Sequence, residues 1–437
     1  MTPTPDEIAR ELTRLDDAAI LAPQERALLH TIVQLTQAGR TADLYQKGLA
    51  DNLGIQNAKQ IGVLATRMRE KLTQFYDGAP HGSALQIRLA ERGYEARFVY
   101  TPVRRPLDNT ALIQVANARA ALDQRTLPSI ETALRYLAAA LATYPDHPLV
   151  LSLRAQAFAL RGLYGVRPLD DLKAADALLA TIAPASELPW EYWHATASVR
   201  MALHWDWTGA ERAFSKAIAL SNGEARFSAW HTAFLASQGR TQEAVEHLLL
   251  AVSRTPDSPI VRADLAVNQI YAGQYDAAEE TIQSCFALFE ARSHYLLYVH
   301  RAILHEARGD ARKAARTIAE VPLKWPKTAI TLGLRALFSG LSDQPRTARW
   351  HLSKLQGIRL LAGARVPSIH LAVAALGAGD TDAAVAWLRQ ASLVERDPNA
   401  VLITAYPFFR HLYGHPGFRD LVVNGMGLPT PKGLSAS

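Results

Sequence analysis

The sequence predicts a mainly α-helical protein: a small N-terminal unit of helices with one β-hairpin, followed by an α-solenoid of about eight helical hairpins. Two observations predict this fold. Two short alternating segments follow four helical segments in the first hundred residues, and a small residue recurs every 34 to 36 residues from Ala210 onward. With 437 residues, 49% of them apolar, the chain can bury a large core. The predicted divisions are 1–100, a linker at 101–108, the array at 109–396 and a C-terminal cap and tail at 397–437.

The N-terminal helices are predicted from proline starts, glycine stops and apolar spacing. The fourth carries an apolar stripe at intervals of three and four, formed by Ile61, Leu64, Ala65, Met68, Leu72 and Phe75. The predicted bounds are Pro5 to about Asp17, Pro23 to Gly39, about Ala42 to Asn52, and Asn57 to Asp77-Gly78.

A β-hairpin is predicted next. Residues Ala84 to Leu89 and Tyr94 to Tyr100 alternate as strands do, and Glu91-Arg92-Gly93 between them indicates a turn. Setting aside the first helix, three helices followed by a basic hairpin is the element order of a winged helix-turn-helix domain.

Positive charge is concentrated in this region. Residues 59–105 contain nine Lys/Arg and four Asp/Glu, whereas residues 1–58 contain five and eight. A helix that presents amides and guanidinium groups can contact base edges and phosphates in the major groove, and a basic hairpin can contact the backbone or minor groove. A solvated helix face with scattered charges is the alternative that composition alone leaves open. The predicted contacts to double-stranded DNA are Lys59, Gln60, Arg67, Arg69, Lys71, Arg88, Arg92 and Arg97.

The run Ala65 to Tyr76 (ATRMREKLTQFY), a Gly-rich break and Gly93-Tyr94 carry a family resemblance. Together they resemble the N-terminal domain of bacterial winged helix-turn-helix transcriptional regulators that also carry tetratricopeptide repeats. The resemblance implies a DNA-binding regulator. Gly62 and Thr66 stand where arginines are frequent in that family.

The repeats begin with small anchor residues. A period near 34 is that of the tetratricopeptide helix-turn-helix. A large apolar residue follows each anchor by four positions, and a small residue precedes it by twelve, where paired helices approach closely. Ala133 and Ala175 extend the pattern toward the N-terminus. The regular anchors are Ala210, Ala244, Ala278, Ala314, Ala348 and Ala384.

In such an array the first helices line the concave wall. Counting from the anchors places apolar residues there, so we expect a groove for an apolar protein or peptide segment, or for the protein's own elements. We expect the aromatic cluster from Trp190 to Trp207 to pack between hairpins. The predicted groove residues are Ile260, Val267, Ile270, Leu296, Val299, Ile303, Val366, Ile369 and Val373.

No nucleotide-binding, hydrolase or zinc-protease motif occurs in the sequence, so we expect neither an enzyme nor a cofactor. His411 and His415 are spaced four apart but interrupted by Gly414, and we expect surface histidines rather than a metal pair. The single cysteine, Cys285, is expected to pack as a small hydrophobe and fits a reducing cytoplasm. No leader or membrane segment is expected.

These observations predict a cytoplasmic transcriptional regulator, with the array receiving a signal or partner. Because a lone winged helix buries little DNA surface, we expect it to act as a homodimer or with a partner. The acidic first half of the N-terminal unit, together with Gly62 and Thr66, favours the alternative of a protein-interaction scaffold without DNA binding. A regulatory subunit of a signalling complex is a third possibility.

Overall fold

The chain forms two compact units, Met1–Pro106 and Leu107–Ser437, which are described separately below. The structure is a computed structural model. It describes residues 3–78, 85–100, 106–164, 167–182, 188–222, 228–289, 296–321, 329–362 and 366–434.

The N-terminal unit contains four α-helices whose ends follow local sequence rules. Thr4 and Glu7 form a reciprocal capping box at the start of the first helix, and a proline occupies the first turn of each of the first two. Gly39 and Gly54, after the second and third, have φ of +68° and +66°, which a residue with a Cβ adopts at a cost. The helices are α1 (Pro5–Asp17), α2 (Pro23–Gln37), α3 (Gln46–Leu53) and α4 (Lys59–Gly78).

Two antiparallel strands, β1 (Leu85–Leu89) and β2 (Ala96–Tyr100), follow. The second strand starts two residues later than predicted, because the Ala90 N–H donates to the Glu95 carbonyl (2.9 Å) and closes a longer turn. Gly93 lies in that turn at φ +86°. Ala84, predicted to begin the first strand, lies outside the described residues.

The predicted stripe of α4 packs into the core of this unit, where Ile61, Ala65 and Met68 are fully buried. The Tyr76 hydroxyl joins three elements there: it donates to Glu11 Oε1 (2.9 Å) and accepts from the Ile87 N–H (3.0 Å). This bonding satisfies polar groups that would be costly to bury alone.

The described residues of the second unit include sixteen helices that pair as eight hairpins, as the repeat count predicted. All six anchor alanines are 0% exposed, and the small residues twelve positions earlier are buried as well. The hairpins stack side by side as a tetratricopeptide-like α-solenoid. The helices are α5 (Asn109–Asp123), α6 (Leu127–Thr143), α7 (Pro148–Leu163), α8 (Pro168–Thr181), α9 (Trp190–Val199), α10 (Trp207–Leu220), α11 (Ser228–Ser237), α12 (Thr241–Arg254), α13 (Pro259–Tyr271), α14 (Tyr275–Phe289), α15 (Leu296–Ala307), α16 (Ala311–Ala319), α17 (Ala329–Leu341), α18 (Pro345–Ala362), α19 (Ser368–Gly377) and α20 (Thr381–Arg389).

Two π-helical segments, Arg200–His204 and Gln390–Glu395, extend α9 and α20. Each is followed by a left-handed residue, Trp205 or Arg396, and the two residues meet: the Arg396 guanidinium lies 5.2 Å from the centre of the Trp205 ring. These widened turns end α9 in the third hairpin and α20 in the eighth.

Residues 397–434, here called the C-terminal segment, turn back onto the array through short helical turns and α21 (Pro416–Asp420). The Asn399 amide donates to the Leu163 carbonyl (3.1 Å), and the Trp207 indole N–H donates to the Met426 carbonyl (2.8 Å). The C-terminal segment therefore ties the last hairpin to the second and third. In the described part of the chain, no helix is long and apolar enough to cross a membrane.

Candidate functional site

The first candidate surface is the outward side of α4. Lys59, Gln60 and Arg67 are exposed there, as predicted, beside Val63, whose side chain is 53% exposed. Arg92 and Arg97 are exposed in the turn and on β2. These five predicted DNA contacts are thus accessible to solvent.

The other three predicted contacts bind groups of their own unit. Arg69 Nε donates to the Ala90 carbonyl (3.0 Å), and the same guanidinium bonds the Gly93 carbonyl, so this side chain holds the hairpin turn against α4. Lys71 Nζ lies 2.7 Å from Glu25 Oε2. Arg88 Nε donates to Gln86 Oε1 (2.9 Å) and its guanidinium lies over the Tyr76 ring.

The Lys71 contact matters because the Glu25 side chain is only 3% exposed. Burial acts to raise the pKa of Glu25, but Lys71 and the Ala22 N–H outweigh it, and the net pKa is lowered. Lys71 therefore stabilises a buried carboxylate, a role that its position in the sequence did not indicate.

The predicted groove differs from an open receptor surface. Its wall is apolar, but the C-terminal segment packs on it: Phe408 and Phe409 lie against Ile303, Ile369 and Val373 in one core cluster. Of the nine predicted wall residues, Leu296 is half-buried. The other eight are no more than 9% exposed, so no peptide reaches them in this conformation: Ile260, Val267, Ile270, Val299, Ile303, Val366, Ile369 and Val373.

What remains of the groove is a cavity of about 650 Å³, here called the central cavity. First helices of successive hairpins form one side of it, and the C-terminal segment closes the other through Asn399, Val401 and Tyr406. Five predicted groove residues line it: Val267, Leu296, Val299, Ile303 and Val366. Ile260 instead lines a neighbouring cavity of about 490 Å³.

A buried ion pair separates the two cavities. Arg125 Nη1 contacts Asp264 Oδ2, and their side chains are 15% and 11% exposed. Burial raises the pKa of the Asp264 carboxyl above its ordinary value, and Arg125 partly offsets that rise. The pair joins the turn between α5 and α6 to α13, so the first hairpin touches the fifth across the inside of the solenoid.

Further polar side chains line the central cavity, among them Asn268, Tyr271, His300 and His370. Asn268 is 4% exposed; its Nδ2 donates to the Asp264 carbonyl (2.9 Å), and its Oδ1 is a buried acceptor without a hydrogen-bond partner in the described structure. His370 is neutral at pH 7 because burial lowers its pKa to about 4. The rings of Tyr271 and Tyr406 meet edge to face, with their centres 5.7 Å apart.

The aromatic cluster packs within the array, as expected. Trp205 and Trp207 stack at 5.7 Å, and Lys216 Nζ lies 3.9 Å from the centre of the Trp193 ring. Cys285 is fully buried, and burial raises its pKa to about 11, which suits a packing role.

His411 and His415, which we expected not to form a metal pair, contact different carboxylates. His415 Nε2 lies 2.8 Å from Asp382 Oδ1, and His411 Nε2 lies 3.6 Å from Glu306 Oε1. His415 therefore links the C-terminal segment to the eighth hairpin, and His411 links it to the sixth.

An exposed apolar row runs along second helices of the array. It occupies the position ten residues after four of the anchors and is formed by Leu220, Leu288, Ile358 and Val394, whose side chains are 50%, 60%, 42% and 55% exposed. Leu360 and Leu361 near the end of α18 are 86% and 92% exposed. Sequence reasoning located the inner wall and overlooked this row, although the anchor spacing would have revealed it.

No protein-family profile and no curated protein matches the chain. Solved structures with similarity to it include a tetratricopeptide repeat protein from Parabacteroides merdae (15% identity, 61% of this chain and 99% of that one, TM-score 0.39). PilF of Pseudomonas aeruginosa matches with 20% identity over 53% of this chain and 98% of its own (TM-score 0.35). Yeast Tom70 matches with 14% identity over 89% and 87% (TM-score 0.42). At these scores, the tetratricopeptide-like architecture rests on the hairpins and their period.

Proposed function

We propose that the chain works by binding rather than catalysis, and that its array is a protein-interaction scaffold. The observation that carries this proposal is the exposed apolar row at Leu220, Leu288, Ile358 and Val394. Scattered exposed leucines are ordinary, but these four recur at one register, in the third, fifth, seventh and eighth hairpins, while Arg254 holds that register in the fourth.

The inner wall does not compete for this role, because the C-terminal segment covers it. A partner that presents apolar side chains at matching intervals would remove the row from water, and burial of apolar surface is the main driving force of protein association. The proposed partner surface is therefore this row on second helices, of which Ile358 also borders the central cavity.

We expect Leu288→Glu to abolish capture of the partner in an affinity experiment that uses the full chain as bait in extract from its native cells. Leu288 is 60% exposed, so the variant should fold and melt as the wild type does. Gln283→Glu, on an exposed position of the same helix, introduces the same charge away from the row and should retain the partner. If the wild type, Leu288→Glu and Gln283→Glu captured the same proteins, the row would not be the partner surface.

A second candidate function is regulation through double-stranded DNA, and the exposed face of α4 favours it. Lys59, Val63, Arg67, Glu70 and Gln74 recur at three- and four-residue spacing, so they share one side of the helix. The three helices α2, α3 and α4 before a two-stranded hairpin have the element order of a winged helix-turn-helix, in which such a face enters the major groove. Homodimerisation on paired sites stays a prediction of this function.

We expect the full chain to bind duplex DNA with an affinity that falls steeply as salt rises, because Lys/Arg contacts to phosphates release condensed counterions. Arg67→Glu should weaken binding by about tenfold or more. Arg10→Glu makes the same charge change on the exposed side of α1 and should have a much smaller effect. Equal losses in both variants would show attraction to net charge only, and no binding at low salt would leave the scaffold function alone.

A further inference from the structure

The second helices of the sixth and seventh hairpins, α16 and α18, carry a concentration of positive charge. They contain three and four Lys/Arg, respectively, and no Asp/Glu. Arg359 is paired with Glu395, but the other six side chains are exposed, and none has a carboxylate partner in the described part of the chain. Unpaired cations at the surface attract a polyanion. The six, here called the basic patch, are Arg312, Lys313, Arg316, Arg346, Arg349 and Lys354.

The positive charge is specific to these two hairpins. Arg312 and Arg346 both stand two residues before their anchor alanines, so they hold the same place on neighbouring hairpins. That place holds Asp276 in the fifth hairpin and Asp382 in the eighth. Because the sign of the charge reverses on either side, the basic patch is a local feature of the array rather than an effect of its overall composition.

An exposed indole lies within the basic patch. Arg346, Arg349, Trp350 and Lys354 are spaced by three, one and four residues, so they share one side of α18. Trp350 is 53% exposed, and Lys354 Nζ lies 4.1 Å from the centre of its ring. In single-stranded nucleic acid the bases are free to stack on an aromatic ring while Lys/Arg side chains pair with the phosphates. An aromatic ring among cations therefore matches a single strand.

The basic patch fits a membrane surface less well. A helix that lies on a membrane inserts a continuous apolar face, whereas Ile318 and Leu355, on the apolar sides of α16 and α18, are fully buried in the array. Leu360 and Leu361 are exposed but lie beyond the basic patch, at the end of α18. An acidic peptide also fits less well, because its carboxylates would pair with the cations and leave Trp350 without a stacking partner.

We propose that the basic patch binds single-stranded nucleic acid, with phosphates paired to its arginines and lysines and a base stacked on Trp350. Contacts of this kind recognise the backbone and the ring faces of the bases, so binding should depend little on base sequence. The surface differs from the exposed face of α4 and from the exposed apolar row. The proposal therefore does not depend on either proposed function.

Fluorescence anisotropy of labelled oligo(dT) and oligo(rU) with the full chain tests the proposal. We expect binding with an affinity that falls steeply as salt rises, because phosphate contacts release counterions. Trp350→Leu keeps an apolar side chain but has no aromatic face, and it should weaken binding by about tenfold, whereas Trp350→Phe should retain most of the affinity. The difference between the two strands shows whether DNA or RNA is preferred. Equal affinities of the wild type and Trp350→Leu would overturn the stacking contact.

Arg212→Glu is the matched control for Arg316→Glu. Both arginines are exposed and stand two residues after an anchor, but Arg212 belongs to the third hairpin. We expect Arg316→Glu to weaken binding by about fivefold or more, and Arg212→Glu to change it by less than about twofold. Equal losses in the two variants would show attraction to net charge only. A loss in Arg67→Glu that matched the loss in Arg316→Glu would place the strand on α4 as well and overturn a site confined to the array.

Two further probes test the class of partner. If phosphatidylserine vesicles bound the full chain and neither oligonucleotide did, the basic patch would be a membrane contact. If polyglutamate displaced the oligonucleotides as well as unlabelled oligo(dT) does, it would be a site for acidic protein segments. Absence of oligonucleotide binding at low salt would overturn the proposal outright.

Discussion

Gly377→Ala is expected to destabilise the array by about 3 kcal/mol, because the added methyl group has no space. Gly377 lies in α19, where this helix crosses α17. A Cβ built on it would lie 2.4 Å from the Ala336 carbonyl oxygen and 2.4 Å from Leu337 Cα. Both are backbone atoms, so relief requires the two helices to move apart. Thermal unfolding followed by circular dichroism at 222 nm measures the effect.

The same substitution at Gly357 is the control. Gly357 lies in α18, and a Cβ there would have no atom within 4 Å. Since alanine favours a helix over glycine by about 1 kcal/mol, Gly357→Ala should melt at or slightly above the wild-type temperature. If Gly377→Ala melted at as high a temperature as Gly357→Ala, α17 and α19 would not pack as closely at Gly377 as described here.

These two glycines show what the repeat pattern can predict. Each anchor alanine packs against a helix of its own hairpin. A small residue is therefore needed at the same position of every hairpin, and it recurs with the repeat period. Gly377 stands seven residues before Ala384, whereas Leu341 holds the matching place before Ala348. The crossing at Gly377 is particular to one pair of helices and leaves no periodic signal.

The candidate sites divide in the same way. Exposure of Lys59 and Arg67 followed from helical spacing, because it depends only on neighbours along α4. The closure of the groove by Phe408 and Phe409 depends on where the C-terminal segment returns, which local spacing does not encode. The partner of Lys71 was missed for this reason, because Glu25 lies 46 residues away on another helix.

Asp264→Ala is expected to cost about 3–5 kcal/mol, because it leaves the Arg125 guanidinium buried without its counterion. Asp264 also has a neighbour in Asn268, but that contact uses the backbone carbonyl and survives the change. Arg125 belongs to the turn after α5, and its backbone carbonyl accepts a hydrogen bond from the Tyr164 hydroxyl. Loss of the Arg125–Asp264 ion pair should therefore loosen the contact between the first and fifth hairpins. Thermal or urea unfolding measures the loss of stability.

An exposed pair provides the comparison. Arg240 Nη2 lies 2.7 Å from Glu243 Oε1, and these side chains are 39% and 47% exposed, so Glu243→Ala should cost no more than about 1 kcal/mol. The double variant Arg125→Met with Asp264→Leu removes both charges and replaces them with apolar groups, and it should recover much of the stability lost in Asp264→Ala. Were the double variant as unstable as the single one, packing rather than the stranded charge would explain the loss. Recovery would establish that the ion pair is needed only because each of its members is buried.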